Sequence, residues 1–294
     1  SSDVCSSDLN YRNLKYKLGH IPKLADFDKY GEMDVLRIFD NQSLGSYYKF
    51  LVKYEDDYKI RVGEKEDRII EFISKKLASG KRVHELELLR MILSGEDGDL
   101  LNKLAESLYS NYSISASDLC LESVANVMTN LFPAGTGRKT YSSCVFLTKK
   151  SEGYSVSEEF RKMLEDENFR DILNELVDFG LSRSERDYSL RYEDSNLVLY
   201  QKYTYEDACR LLNWDHNEVP LNIGGYKYDS RTKTFPVFIN YDKEEDIADT
   251  IKYEDHFTSE KTLIAISKQS RNLDSEDVRN FLECEQRGIS VELF

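Results

Sequence analysis

Apolar positions recur at helical spacing along the first part of the chain and alternate with polar ones along the last. Between Asn10 and Lys59 the spacing is kept by Leu14, Leu18, Leu24 and Phe27, then by Tyr47, Phe50, Leu51 and Tyr54, with breaks at Gly19, Pro22, Gly31 and Gly45. This pattern predicts short helices with tight connections. Glu64 to Leu77 places Ile69, Ile70, Ile73 and Leu77 on one side, and Arg82 to Leu93 does so with Leu86, Leu89, Ile92 and Leu93 before a stop at Gly95. Both read as amphipathic helices packed into a core. Further helices are expected near Leu100 to Tyr109, from Ser117 to Phe132 and from Glu158 to Phe179. A hairpin "YSSCVFLTKKSEGYSVS", turning at Ser151 to Gly153, separates the last two.

Helices followed by a two-stranded ribbon predict a winged-helix-like part. In a DNA reader of that shape the helix before the ribbon enters the major groove and supplies Arg, Lys, Asn or Gln to bases. The candidate here, "SDLCLESVANVMTN", has no Lys or Arg. Phosphate neutralisation needs cations there, so a structural or protein-contacting role is expected ahead of DNA readout.

The polar stretch "GLSRSERDYSLRYEDS" marks the expected boundary. Beyond it "NLVLYQKY" alternates as a strand, and Thr204 and Asp207 have capping-box spacing for a helix ending near Asn213. Then "GYKY" and "FPVFINY" read as paired strands joined by the turn "DSRTKT", with Gly224-Gly225 allowing a bulge or bend. "TLIAIS" reads as a strand, "SEDVRNFLECEQRG" as a helix closing at Gly288, and "ISVEL" as a strand. The expected fold class is α+β, an N-terminal mostly helical region with the winged-helix-like part followed by a C-terminal mixed α/β unit, either a small sheet or a partly open barrel. The expected divisions are a tail at 1–9, a helical region at 10–95, the winged-helix-like domain with its β-hairpin at 96–190, and the α+β domain at 191–294. The opening "SSDVCSSDL" lacks periodicity and a starting Met and resembles a translated sequencing-adapter tail. The closing "GISVELF" stops on a strand, so a piece of a larger protein is expected.

At 294 residues, 40% hydrophobic and 12% aromatic, the chain has material for packed cores. No apolar run approaches the ~18 residues that span a bilayer, and no secretory leader opens the chain, so no membrane partner and a cytoplasmic location are expected. The five cysteines (Cys5, Cys120, Cys144, Cys209, Cys284) are far apart and form no CxxC pair. They read as reduced core thiols, not as a disulfide framework or a zinc site. His20, His84, His216 and His256 are too scattered for a local metal site, so neither a metal nor a cofactor is expected. The net charge of −14 repels polyanions at long range and leaves nucleic acid to local patches.

Three segments are candidates for chemistry. "FPAGTGRKT" fails the phosphate-loop pattern at both glycines, with Pro133 and Arg138 in their places, and reads as a polar connection into the ribbon. Residues 242–260 hold eight carboxylates against two lysines, and Asp249, Asp255 and His256 lie close enough to raise metal-assisted hydrolysis against the commoner solvated loop. The third is the hairpin at Leu221 to Tyr241. It carries Lys227, Arg231 and Lys233 against Asp229 alone, interleaved with Tyr226, Tyr228, Phe235 and Tyr241. Aromatic faces, cations and Asn side chains are the parts a sheet uses to hold nucleic acid. The plain alternative is a hairpin whose aromatics pack in the core and across strands. Trp214 fits a core anchor beside the capped helix, with a stacking platform as the alternative.

The segments "NYRNLKYKLGHIPKLADFDKYG", "SYYKFLVKYEDDY" and "YTYEDACRLLNWDHNEVPLNIGGYKYDSRTKTFPVFINYDKEEDIADTIKYEDHF" resemble the uncharacterised domain on the C-terminal side of large bacterial superfamily II helicases of DEAD/DEAH type. In those proteins a phospholipase-D-like nuclease module and the helicase core precede it. The resemblance implies an ATP-dependent DNA helicase or translocase as parent, of restriction, repair or phage-defence type. ATP and Mg belong to that motor and not to this region, and no catalytic residue transfers to it. The resulting expectation is a non-catalytic accessory region that contributes DNA-substrate recognition through Asn222, Tyr226, Lys227, Arg231, Lys233 and Trp214. The rival is a protein-interaction module, in which the acidic part at Asn10 to Leu181 docks on the helicase motor domain of the same parent or on a partner subunit.

Overall fold

The computed structural model describes residues 2–30, 33–132, 135–193, 195–219, 223–239, 256–259, 261–264 and 268–294. They form two compact units, Ser1–Leu199 and Tyr200–Phe294. The α+β class holds, with helices predominating and three two-stranded sheets, none of them closed, among the described residues.

The first unit opens with helices α1 (Ser2–Leu18), α2 (Leu24–Tyr30), α3 (Leu36–Asp40) and α4 (Tyr47–Tyr54). Its centre is α5 (Glu64–Lys76), α6 (His84–Leu93) and α11 (Glu167–Tyr188), joined by α7 (Leu100–Tyr112) and α8 (Asp118–Met128). Ile70, Ile73, Leu86, Leu89, Leu104, Val124 and Leu173 are wholly enclosed there. Removing each such side chain from water stabilises the fold by about 1.5–3 kcal/mol. The one-sided reading of α6 needs correction, because His84, Glu85, Glu87 and Leu88 are buried as well. With α7 and α8 on one flank and α11 on another, no face of this helix is left to solvent over those residues.

Helix α8 ends at Met128, short of Phe132, because Asn130 takes a left-handed φ of 59° and its side chain donates to the Tyr141 carbonyl at 2.6 Å. A short helix α9 (Thr136–Thr140) precedes the ribbon of β1 (Leu147–Lys149) and β2 (Tyr154–Val156), which pair antiparallel around the Lys150–Gly153 turn. The segment expected as one helix from Glu158 to Phe179 is two, α10 (Glu158–Met163) and α11. Ser157 caps the first and Asp166 the second, so each supplies its own helix start. Helix α11 then runs to Tyr188, through the charged stretch expected as a boundary. That stretch is the outer face of a helix whose inner face buries Gly180 and Ser184. Residues 10–95 and 96–190, expected as separate regions, therefore share one unit, since α11 packs on α2, α5 and α6 together.

In the second unit "NLVLYQKY" is not a strand. The Tyr192 amide donates to the Leu197 carbonyl and Tyr200 adopts a left-handed φ of 66°, so the chain turns there instead of extending. Helix α12 (Tyr205–Leu211) starts with the expected capping box, Thr204 and Asp207 bonding reciprocally. The strand β3 (Thr234–Val237) is bridged antiparallel by Tyr226 and Asp229 on one side. On the other side it pairs parallel with β6 (Ser290–Leu293). Strands β4 (His256–Ser259) and β5 (Thr262–Ile264) form a separate hairpin. The expected C-terminal helix is split into α13 (Glu276–Leu282) and α14 (Cys284–Arg287), closed by Gly288 at φ 61°.

Candidate functional site

Chain geometry at the end of α12 assembles the site. Asn213 takes a left-handed φ of 59°, which turns the chain so that the Trp214 amide reaches the Cys209 carbonyl at 2.9 Å. The Trp214 indole is fully buried, and its Nε1–H donates to Thr234 Oγ1 on β3 at 2.8 Å. It is the core anchor, and no ring face is left for a nucleobase. Burial of Cys209 beside it pushes that thiol up to about 12, so it stays protonated and unreactive.

Three of the four residues after Trp214, Asp215, His216 and Glu218, change the meaning of the hairpin. His216 Nδ1 meets Asp215 Oδ1, and its Nε2 meets Glu218 Oε1 at 2.9 Å. Lys227 donates to the same Glu218 oxygen. Arg231 donates from Nη2 to the Asn213 carbonyl at 2.7 Å and lies 3.8 Å from Asp215. Burial works to lower the His216 pKa, but the bonds to Asp215 and Glu218 outweigh it and hold the imidazole above its ordinary value. The bond from His216 in turn lowers Asp215. Two of the three expected DNA-contacting cations thus carry carboxylate partners from "NWDHNE", a stretch just upstream of the one whose charge looked basic.

Tyr226 is half-buried. Its ring meets Phe235 and Phe281 edge-on at 5.4 and 6.5 Å, with the Lys268 ammonium over it at 4.4 Å. The same ammonium donates to the Tyr226 carbonyl at 2.7 Å. Sequence reasoning missed Lys268, which lies far along the chain and has no local signal. At the turn, Asp229 accepts from the Thr232 amide and hydroxyl, both at 2.8 Å. Lys233 stands exposed at a φ of 53°. Asn222 lies outside the described residues, as do Asp249 and Asp255 of the acidic cluster; His256 opens β4.

In the first unit an open groove of about 690 Å³ lies between α6 and α7, lined by Glu87, Arg90, Lys103, Glu106, Ser107 and Asn111. The buried Glu87 at its floor accepts from Arg90 at 2.6 Å, from Ser107 and from Tyr112 at 2.8 Å. Glu87 is thereby satisfied by its neighbours, and Lys103 is paired with Glu96. Among the described residues no group of three or more His, Cys, Asp or Glu side chains is arranged to hold a metal ion, and no helix is long and apolar enough to cross a membrane.

Two family models match the chain. One, the domain of unknown function DUF8090, covers residues 9–189; the other, the domain of unknown function DUF3427, covers residues 197–294. The two matches meet close to the division between the compact units. No curated protein matches the chain.

Proposed function

The chain belongs to the DUF8090 family, with a DUF3427 domain over its second unit, and from that premise we propose that it is a non-catalytic accessory region of a DNA helicase or translocase. The second unit serves as a protein-docking module for the motor or a partner subunit, in preference to reading DNA with its hairpin. One observation carries this choice: Lys227 and Arg231 are held by Glu218, Asp215 and the Asn213 carbonyl. Cations already neutralised by carboxylates release few counterions on meeting a phosphate, so they add little to DNA affinity. The hairpin aromatics pack on one another and on α13. The same unit leaves Leu273, Phe281 and Leu282 exposed at 74, 41 and 66% of their surface, and apolar area of this kind is what a protein partner covers. The helicase link rests on the resemblance carried by Tyr203 to Phe257.

The test is sedimentation velocity of the full chain with the separately produced motor portion of the parent polypeptide. A saturable complex in the micromolar range or tighter is expected, weakened roughly tenfold or more by Leu282→Asp. No complex at about 100 μM, or a complex indifferent to Leu282→Asp, overturns the docking role.

A further inference from the structure

From Ser123 to Ser151 the chain contains no Asp or Glu, although the whole protein carries 54 of them in 294 residues. Glu122 and Glu152 bound the stretch, and four cations lie inside it, Arg138, Lys139, Lys149 and Lys150. All four are exposed. Arg138 and Lys139 sit on α9; Lys149 ends β1 and Lys150 begins the ribbon turn.

Both pairs emerge from one place on the first unit. Just beyond α9, Tyr141 packs edge-on against Phe72 of α5 at 5.4 Å, and just before β1, Phe146 meets the same ring at 5.7 Å. Each cation pair therefore starts within a few residues of a side chain anchored on Phe72. Several other cations of the unit are held by carboxylates. Lys49 is paired with Glu71, Arg90 with Glu87, Lys103 with Glu96, Arg161 with Asp97 and Arg183 with Asp28. Among the described residues, none of Arg138, Lys139, Lys149 and Lys150 has a carboxylate partner; the contact made by Arg138 is to the Leu131 carbonyl at 3.4 Å.

We propose that Arg138, Lys139, Lys149 and Lys150 form a contact surface for the phosphodiester backbone of nucleic acid. Screening at physiological salt confines charge effects to about 8 Å, so a local cluster binds a polyanion despite the net charge of −14. Unpaired exposed cations are the groups that release counterions from a backbone. Helix α8, the longer helix ahead of the ribbon, has no Lys or Arg, and α9 between them spans only five residues. The contact is accordingly sequence-independent, holding and positioning the strand without reading bases. It is separate from the docking role of the second unit and stands or falls without it.

The experiment is fluorescence anisotropy of the full chain with a random-sequence labelled duplex between about 50 and 200 mM salt, with polyglutamate as competitor. Wild-type affinity is expected to fall as salt rises. Charge reversal of Lys149 and Lys150 together, or of Arg138 and Lys139 together, should weaken binding roughly tenfold or more and flatten the log-log salt slope by roughly two. Lys233→Glu, on the hairpin of the other unit, should change affinity less than twofold. Serine at the same four positions is the second arm, should a reversal variant fail to fold by circular dichroism. Absence of duplex binding at the lowest salt, or binding unmoved in both arms, overturns the proposal. Equal competition by polyglutamate at matched charge also overturns it and assigns the surface to an acidic protein.

Discussion

Two histidines show how position on the chain sets opposite chemistry. His84 is enclosed in α6, and neither ring nitrogen has a hydrogen-bond partner among the described residues. Burial first, then Arg82 and Arg191 nearby, hold its pKa well below the ordinary 6.5. The unfolded chain takes up a proton there that the folded chain refuses, so stability falls as pH drops below about 6.5, by up to about 1.4 kcal/mol per pH unit. His216 runs the other way. Its pKa is raised, so its contribution is complete below 6.5 and is lost as pH rises through the folded value. Urea unfolding followed by far-UV circular dichroism between pH 7 and 5 separates the two. The His84→Leu variant should lose part of the acid-side slope, and an unchanged slope would contradict the neutral, unpartnered state of His84. Neither behaviour was legible in the sequence, where both residues are lone histidines with no ligand spacing.

At the scale of elements, a backbone contact fixes how the α5–α6 turn meets α11. Gly80 has a φ of 76°, and a Cβ there would lie 2.6 Å from both the Gly180 carbonyl oxygen and the Ser184 amide nitrogen. Gly180 is equally confined, its absent Cβ falling 2.8 Å from Leu86 Cδ1. Gly80→Ala combines a disfavoured conformation with a clash against backbone that cannot move independently, and should cost about 2 kcal/mol or more. A lower midpoint in urea unfolding checks it; a wild-type midpoint would mean that the helices can part without loss. The periodicity of Ile69, Ile70 and Ile73 and of Leu86 and Leu89 made the helices themselves readable, as did the Thr204 capping box, because those signals are local. Three features were not readable for the opposite reason. The enclosure of α6 over His84 to Leu89 depends on α7, α8 and α11 together. The loss of "NLVLYQKY" as a strand follows from the left-handed Tyr200 and from the bond of Tyr192, outside the segment, to Leu197, and the parallel pairing of β3 with β6 depends on residues far along the chain.

At the scale of the whole molecule, an acidic chain allots its cations unevenly. In the second unit Lys227 and Arg231 are tied to carboxylates and a carbonyl beside Trp214, which neutralises most of an apparently basic hairpin. In the first unit one carboxylate-free stretch leaves four cations without a carboxylate partner among the described residues. The candidate hairpin was visible in sequence by composition, but its neutralisation was not, since Asp215 and Glu218 fell just outside the stretch over which charge was counted. The most direct measurement of this claim is a double-mutant cycle on Lys227→Met and Glu218→Gln. Unfolding of the second unit is followed by the fluorescence of Trp214, the only tryptophan. The pair is part-buried, with Glu218 enclosed and Lys227 about a third exposed, so a favourable coupling of about 0.5–1 kcal/mol is predicted after screening by solvent. Additive single-mutant effects, with no coupling, would show that Lys227 is not held by Glu218 and would return the hairpin to the role of a DNA-reading surface.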